Sequence, residues 1–147
     1  MGIRKIIKMG DEILRKTSKK VTVFDDKLGQ LLDDMKETMY EYEGMGLAAP
    51  QIGVLKRIIV MEVNNMTFEL INPEIISSEG VDVEKESCLS CGKIHEPVER
   101  PMKVTVKAQD RYGYEIIITG EKWLARCLCH EIDHLNGILF IDKIKKD

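Results

Sequence analysis

The chain contains no apolar run approaching the roughly 20 residues of a membrane span. Its opening, MGIRKIIKMG, has too short an apolar stretch for a secretory signal. Ile6 stands where a myristoylation motif requires Ser or Thr. There is no surplus of positive charge: 22 Lys and Arg against 25 Asp and Glu give a net charge of −3. Broad phosphate binding needs clustered cations, and the short basic tail KIKKD (143–147) is read as solvated. The glycine-rich stretch GMGLAAPQIG (44–53) lacks the spacing and the Lys-Ser/Thr pair of a phosphate loop. No internal repeat or low-complexity segment is present. These absences leave a cytoplasmic globular protein with no expected membrane or nucleic-acid contact. Its 147 residues, 44% hydrophobic and 32% charged, suit a single domain, 1–147.

Periodicity supplies the elements. Residues 11–19 read as a short helix started by Asp11. Residues 25–42 carry Leu28, Leu31, Leu32, Met35 and Met39 at helical spacing, with Gly44 as the stop. Stretch 44–53 is small, glycine-rich and holds Pro50, so it is no regular helix and lets a backbone approach a ligand closely. Residues 57–63 and 67–76 read as strands around an Asn64-Asn65 turn. Residues 103–110 and 114–120 form a second pair around Tyr112-Gly113. Between the pairs, 84–101 is rich in turn residues. A last helix runs over 121–136, with Gly137 as its cap. The fold class is α+β, with antiparallel strands packed around a buried helix.

Cysteine and histidine are scarce, and their placement is informative. The four cysteines are Cys88, Cys91, Cys127 and Cys129. In a reducing compartment they read as thiols or metal ligands. Two of the three histidines, His130 and His134, flank Glu131 in an H-E-x-x-H pattern on the last helix. At about 100° per residue, Cys127, His130 and His134 fall within about 40° of Trp123 and Glu131 lies about 80° round. Leu124, Leu128, Ile132 and Leu135 complete an apolar arc, which leaves Lys122, Arg126, Cys129 and Asp133 on the opposite side. Two histidines and a carboxylate on an inward face imply a metal, a partner or a shifted pKa.

Such a site needs a third ligand. Thirteen residues follow His134, and none is Glu, His or Cys. Cys127 lies seven residues before His134, about 10 Å along the axis, too far to share one ion. Cys88, Cys91 and His95 remain, and residue chemistry alone does not choose between the two cysteines. A thiolate would complete a Cys-His-His set with an open position for water.

Three stretches taken together are specific: GMGLAAPQ (44–51), ESCLS (86–90) and HEIDHLNG (130–137). In order and spacing they resemble the three signature motifs of the peptide deformylases, and most of the chain can be read through them. The resemblance implies a short bacterial-type enzyme that removes the formyl group from the N-terminal formylmethionine of newly made polypeptides. It implies Cys88 as the metal ligand beside His130 and His134, and Glu131 as general base and acid toward a metal-bound water that attacks the formyl carbon. Gln51 and the backbone N–H of Leu89 would face the oxyanion. Gly46 would pair with the peptide backbone, and Met45 and Cys127 would line the methionine pocket. Zinc is the default ion for such ligands, whereas the resemblance implies Fe²⁺, replaceable by Ni²⁺, Co²⁺ or Zn²⁺. It further implies a monomer whose partners are formylated nascent peptides, with the ribosome as a transient contact. Glu86 and Arg100 are expected to pair and brace the segment carrying Cys88.

Ser87 stands where the family usually has Gly, and CGKIHEP (91–97) departs from its usual Pro-Gly run. Two other readings compete. A zinc endopeptidase shares the H-E-x-x-H helix, but would need a substrate cleft and usually a downstream ligand. A structural Cys₄ site would leave both histidines unexplained.

Overall fold

The computed structural model describes residues 2–144; most of the basic tail lies outside them. Helix α1 (Asp26–Glu41) begins where the Asp25 side chain accepts from the Leu28 N–H, an N-cap bond. Its Leu28, Leu31, Leu32, Met35 and Met39 are buried, as their spacing requires. The Gly44 N–H donates to the Met39 carbonyl just past the helix end. The segment after Asp11 is one 3₁₀ turn, Glu12–Arg15, shorter than the expected helix, although Asp11 does cap it.

Five strands form one antiparallel sheet in the order β1-β2-β3-β6-β7: β1 (Gly46–Ala48), β2 (Ile58–Val63), β3 (Met66–Glu79), β6 (Lys103–Gln109) and β7 (Glu115–Glu121). Asn64 and Asn65 both take positive φ between β2 and β3, as a tight hairpin turn demands. Two segments differ from expectation. The glycine-rich stretch contributes the edge strand β1 and then a 3₁₀ turn, Ala49–Ile52. The stretch read as turns is a second antiparallel hairpin, β4 (Asp82–Glu86) with β5 (Glu96–Arg100). Its alternation is masked because three of the five β4 side chains are exposed.

Strand β2 is buried on both faces, which explains its near-continuous apolar run. Ile58 and Val60 join the cluster under α1; Ile59, Met61 and Val63 join the cluster under helix α2 (Trp123–Leu135). The sheet therefore lies between the two helices. α2 starts two residues later than expected, because β7 runs to Glu121 and Lys122 turns the chain with φ 57°. It ends at Leu135 with Asn136 as its cap, and the chain turns away at Gly137, whose φ is 73° and whose added Cβ would stand 2.3 Å from the Arg15 carbonyl oxygen. Only glycine fits there.

The wheel placed Arg126 and Cys129 away from the packed face, and this needs correction. Both are buried: Cys129 joins the apolar cluster against the main sheet, and Arg126, at 2% exposure, is covered by the β4–β5 hairpin. Trp123, placed at the centre of the inward arc, is half exposed.

Candidate metal centre and active site

α2 presents His130, Glu131 and His134 toward the interior, and all three are buried. Cys88 follows β4 by two residues, at the start of a short 3₁₀ turn, Leu89–Cys91. Its Sγ lies 3.3 Å from His134 Nε2. One donor atom each from Cys88, His130 and His134 lies within 4.8 Å of the others. Among the described residues this is the one group so arranged. Neither Cys91 nor His95 joins it: Cys91 packs into a small apolar cluster, and His95 is exposed on the cavity rim.

The donor set fits a borderline divalent ion: one sulfur and two imidazole nitrogens. Glu86 Oε1 lies 2.9 Å from His130 Nδ1. With that nitrogen donating to the carboxylate, the Nε2 lone pair is left to coordinate. Burial, reinforced by His130 and Arg100, lowers the His134 pKa to about 3 and keeps its ring neutral. Burial disfavours charge on His130 too, but the Glu86 hydrogen bond and nearby Glu131 raise its pKa. The neighbouring Cys91 thiol, then burial and Glu131, push the Cys88 thiol well above its ordinary value. A bound dication would oppose the shift on Cys88, since it selects the thiolate, and would favour the neutral form of both imidazoles.

The expected brace is present. Arg100 Nε and Nη2 each donate to Glu86 at 2.9 Å, and Arg100 Nη1 donates to Asp133 of α2 at 2.6 Å. Burial works against the charge on Glu86, but Arg100 and then His130 hold its pKa down to about 2.

Glu131 is in a different state. Its Oε1 is buried with no hydrogen-bond partner. Burial outweighs the other influences and raises its pKa to about 7. Such a carboxylate can both accept and return a proton near neutrality. Gly46 leaves it room: a Cβ there would meet Glu131 Oε2 at 2.7 Å and Cys127 Sγ at 3.1 Å.

Gln51 is buried, and its amide is oriented by the backbone. Its Oε1 accepts from the Ala48 N–H at 2.9 Å, so its Nε2 faces the site, donating to Ser90 Oγ at 3.2 Å and to Cys88 Sγ at 3.5 Å. Leu89 is adjacent, its carbonyl accepting from Lys8 Nζ at 3.0 Å. A cavity of about 520 Å³ opens beside these groups, and Met45, Gly46, Gln51, Leu89, Cys127 and Glu131 all line it. Met45 lies half exposed at its mouth; Cys127 is buried. The sequence reading missed Ser90, Lys8 and Arg126. Ser90 was within reach, since it ends the ESCLS stretch. Nothing in the sequence pointed to the other two.

Fold and site define a class: an α+β protein with a candidate Cys-His-His metal centre on an H-E-x-x-H helix, beside a substrate-sized cavity. The model of the polypeptide deformylase family matches residues 3–147. A peptide deformylase of Caldicellulosiruptor bescii is 58% identical over 144 residues, covering 98% of this chain and 87% of its own. One from Alkaliphilus metalliredigens is 52% identical over 147 residues, covering 100% of each. The crystal structure of the Thermotoga maritima peptide deformylase superposes with a TM-score of 0.97 at 42% identity, over 99% of this chain and 100% of that one. The chain belongs to the polypeptide deformylase family, enzymes that remove formyl groups from N-terminal methionine. No helix among the described residues is long and apolar enough to cross a membrane.

Proposed function

We propose that this chain, acting as a single cytoplasmic domain and as a monomer, hydrolyses the N-formyl group of formylmethionyl nascent peptides at the cavity beside Cys88, His130 and His134. The observation that carries the reading is the meeting of three metal-ligating atoms with an unpartnered buried carboxylate and an oriented amide donor at one cavity, which Cys88, His130, Glu131 and Gln51 line. Cys88, His130 and His134 hold the ion, with Fe²⁺ as the natural metal and Ni²⁺, Co²⁺ or Zn²⁺ as replacements. When bound, the ion supplies Lewis-acid polarisation and lowers the pKa of water in its open position.

The chain's own residues do the rest. Glu131 takes a proton from the attacking water. It delivers that proton to the amine nitrogen as the formyl C–N bond breaks, so the products are formate and a free N-terminus. Gln51 Nε2 and the Leu89 N–H face the oxygen on which negative charge develops. Gly46 pairs with the peptide backbone, while Met45 and Cys127 receive the methionine side chain. Ribosome contact is transient and lies outside this site.

The test is formate release from a formyl-Met peptide by protein purified without oxygen, with metal analysis of the same sample. Release that needs the formyl group, is strong with Fe²⁺ or Ni²⁺ and weak with zinc, supports the reading. Activity lost in air should return on refilling with Ni²⁺, because ferrous iron and its thiolate both oxidise. Cleavage of unformylated internal peptide bonds, or equal air-stable activity with zinc and iron, would overturn it in favour of a zinc peptidase.

A further inference from the structure

Arg126 heads the fully buried side chains by size, yet it sits on the charged side of the α2 wheel and touches none of the three ligating atoms. A guanidinium taken out of water is costly unless its donors are matched. Here both terminal nitrogens are matched to one partner, the β4–β5 hairpin, while Nε is buried with no hydrogen-bond partner. Nη1 donates to Glu86 Oε2 at 2.6 Å and to the Val98 carbonyl at 2.8 Å. Nη2 donates to the Asp82 carbonyl at 2.9 Å and to its carboxylate at 3.2 Å. Asp82 opens β4, Glu86 closes it, and Val98 lies mid-way along β5. One planar fork therefore grips both ends of one strand and the middle of the other. The Trp123 ring, 5.8 Å from the guanidinium carbon, covers it.

The position matters because of what each element carries. Cys88 lies two residues beyond Glu86, and His130 lies one helical turn beyond Arg126. Two other contacts bridge hairpin and helix near the ligands, Arg100 to Asp133 and Glu86 to His130. Glu86 closes β4 at the turn end of the hairpin, and Arg100 closes β5 at its open end, opposite Asp82. Arg126 alone of these reaches the β5 interior, and it also contacts both end residues of β4. We infer that Arg126 is the positioning residue that docks the cysteine hairpin onto the histidine helix, so that the three-ligand set stands assembled before a metal arrives. The inference rests on the reading of Cys88, His130 and His134 as the metal ligands.

The test is anaerobic titration of metal-free protein with Co²⁺, following its ligand-field bands and the thiolate-to-cobalt charge-transfer band. Arg126→Met should bind Co²⁺ about 10- to 100-fold more weakly, with an altered charge-transfer band, as for loss of other groups that orient ligands. Arg126→Lys should fall between, because one ammonium cannot span Glu86, Val98 and Asp82. Leu32→Ala, in the core under α1 and far from the ligands, should lower thermal stability and leave Co²⁺ affinity and spectrum unchanged. Binding by Arg126→Met within about twofold of wild type with the same spectrum overturns the inference, as does an equal loss in Leu32→Ala. If Arg126→Met does not fold, Arg126→Lys decides by the same criterion. A wild-type protein that takes up no Co²⁺ overturns the metal-site reading and this inference with it.

Discussion

His130 Nδ1 and Glu86 Oε1 stand 2.9 Å apart inside the protein, and the same carboxylate accepts from Arg100 and Arg126. The ordinary Glu86 pKa of 4.5 is drawn down to about 2 in the folded protein. A depressed carboxyl pKa contributes stability that is fully present above 4.5 and lost as pH falls through about 2. Glu86→Gln should therefore lower the melting temperature of the metal-free protein at pH 7, at a cost of about 3 kcal/mol or more, since two buried guanidinium groups lose their counter-charge. The gap between variant and wild type should narrow below pH 4.5. Thermal unfolding across pH measures both effects; equal melting temperatures at pH 7 would refute the role.

Cys88 and Cys91 can be separated experimentally. Cys88 supplies the sulfur 3.3 Å from His134 Nε2, while Cys91 is buried among apolar side chains. Cys88→Ala should abolish tight metal binding, and Cys91→Ala should retain it. Metal content after gel filtration against a weak chelator is the readout. The reverse pattern would reassign the ligand.

Glu131→Gln separates base from ligand. The residue lies outside the three-atom cluster and its Oε1 has no protein partner. Metal content should be unchanged, while formate release falls by about 10² or more. A nearly wild-type rate would remove Glu131 from the mechanism.

Gly46→Ala tests the close approach of β1 to α2. The new Cβ would press on Glu131 Oε2 at 2.7 Å and on Cys127 Sγ at 3.1 Å. Displacing a catalytic carboxylate by even an ångström costs rate steeply, so kcat/KM should drop about 10-fold or more with metal content unchanged. Full activity in this variant would show that Glu131 tolerates movement.

The sequence by itself determined the local elements whose signal is periodic. α1 was legible from its leucines and methionines, the β2–β3 hairpin from Asn64-Asn65, and the inward face of α2 from the spacing of His130, Glu131 and His134. The third ligand was not decided by residue chemistry, which left Cys88 and Cys91 equal. Motif resemblance selected Cys88, and the fold brings its sulfur to the histidines. What only the tertiary structure decided depends on long-range docking. A helical wheel assumes one buried side, but α2 is covered on one side by the main sheet and on another by the β4–β5 hairpin, so Arg126 and Cys129 are interior. That hairpin was hidden because its exposed side chains carry little alternation and because its partner is α2, some 40 residues away for the Glu86–Arg126 pair. Charge on an isolated helix face reads as solvated; only the arrival of Glu86, Asp82 and Val98 makes the burial of a guanidinium there affordable in free energy.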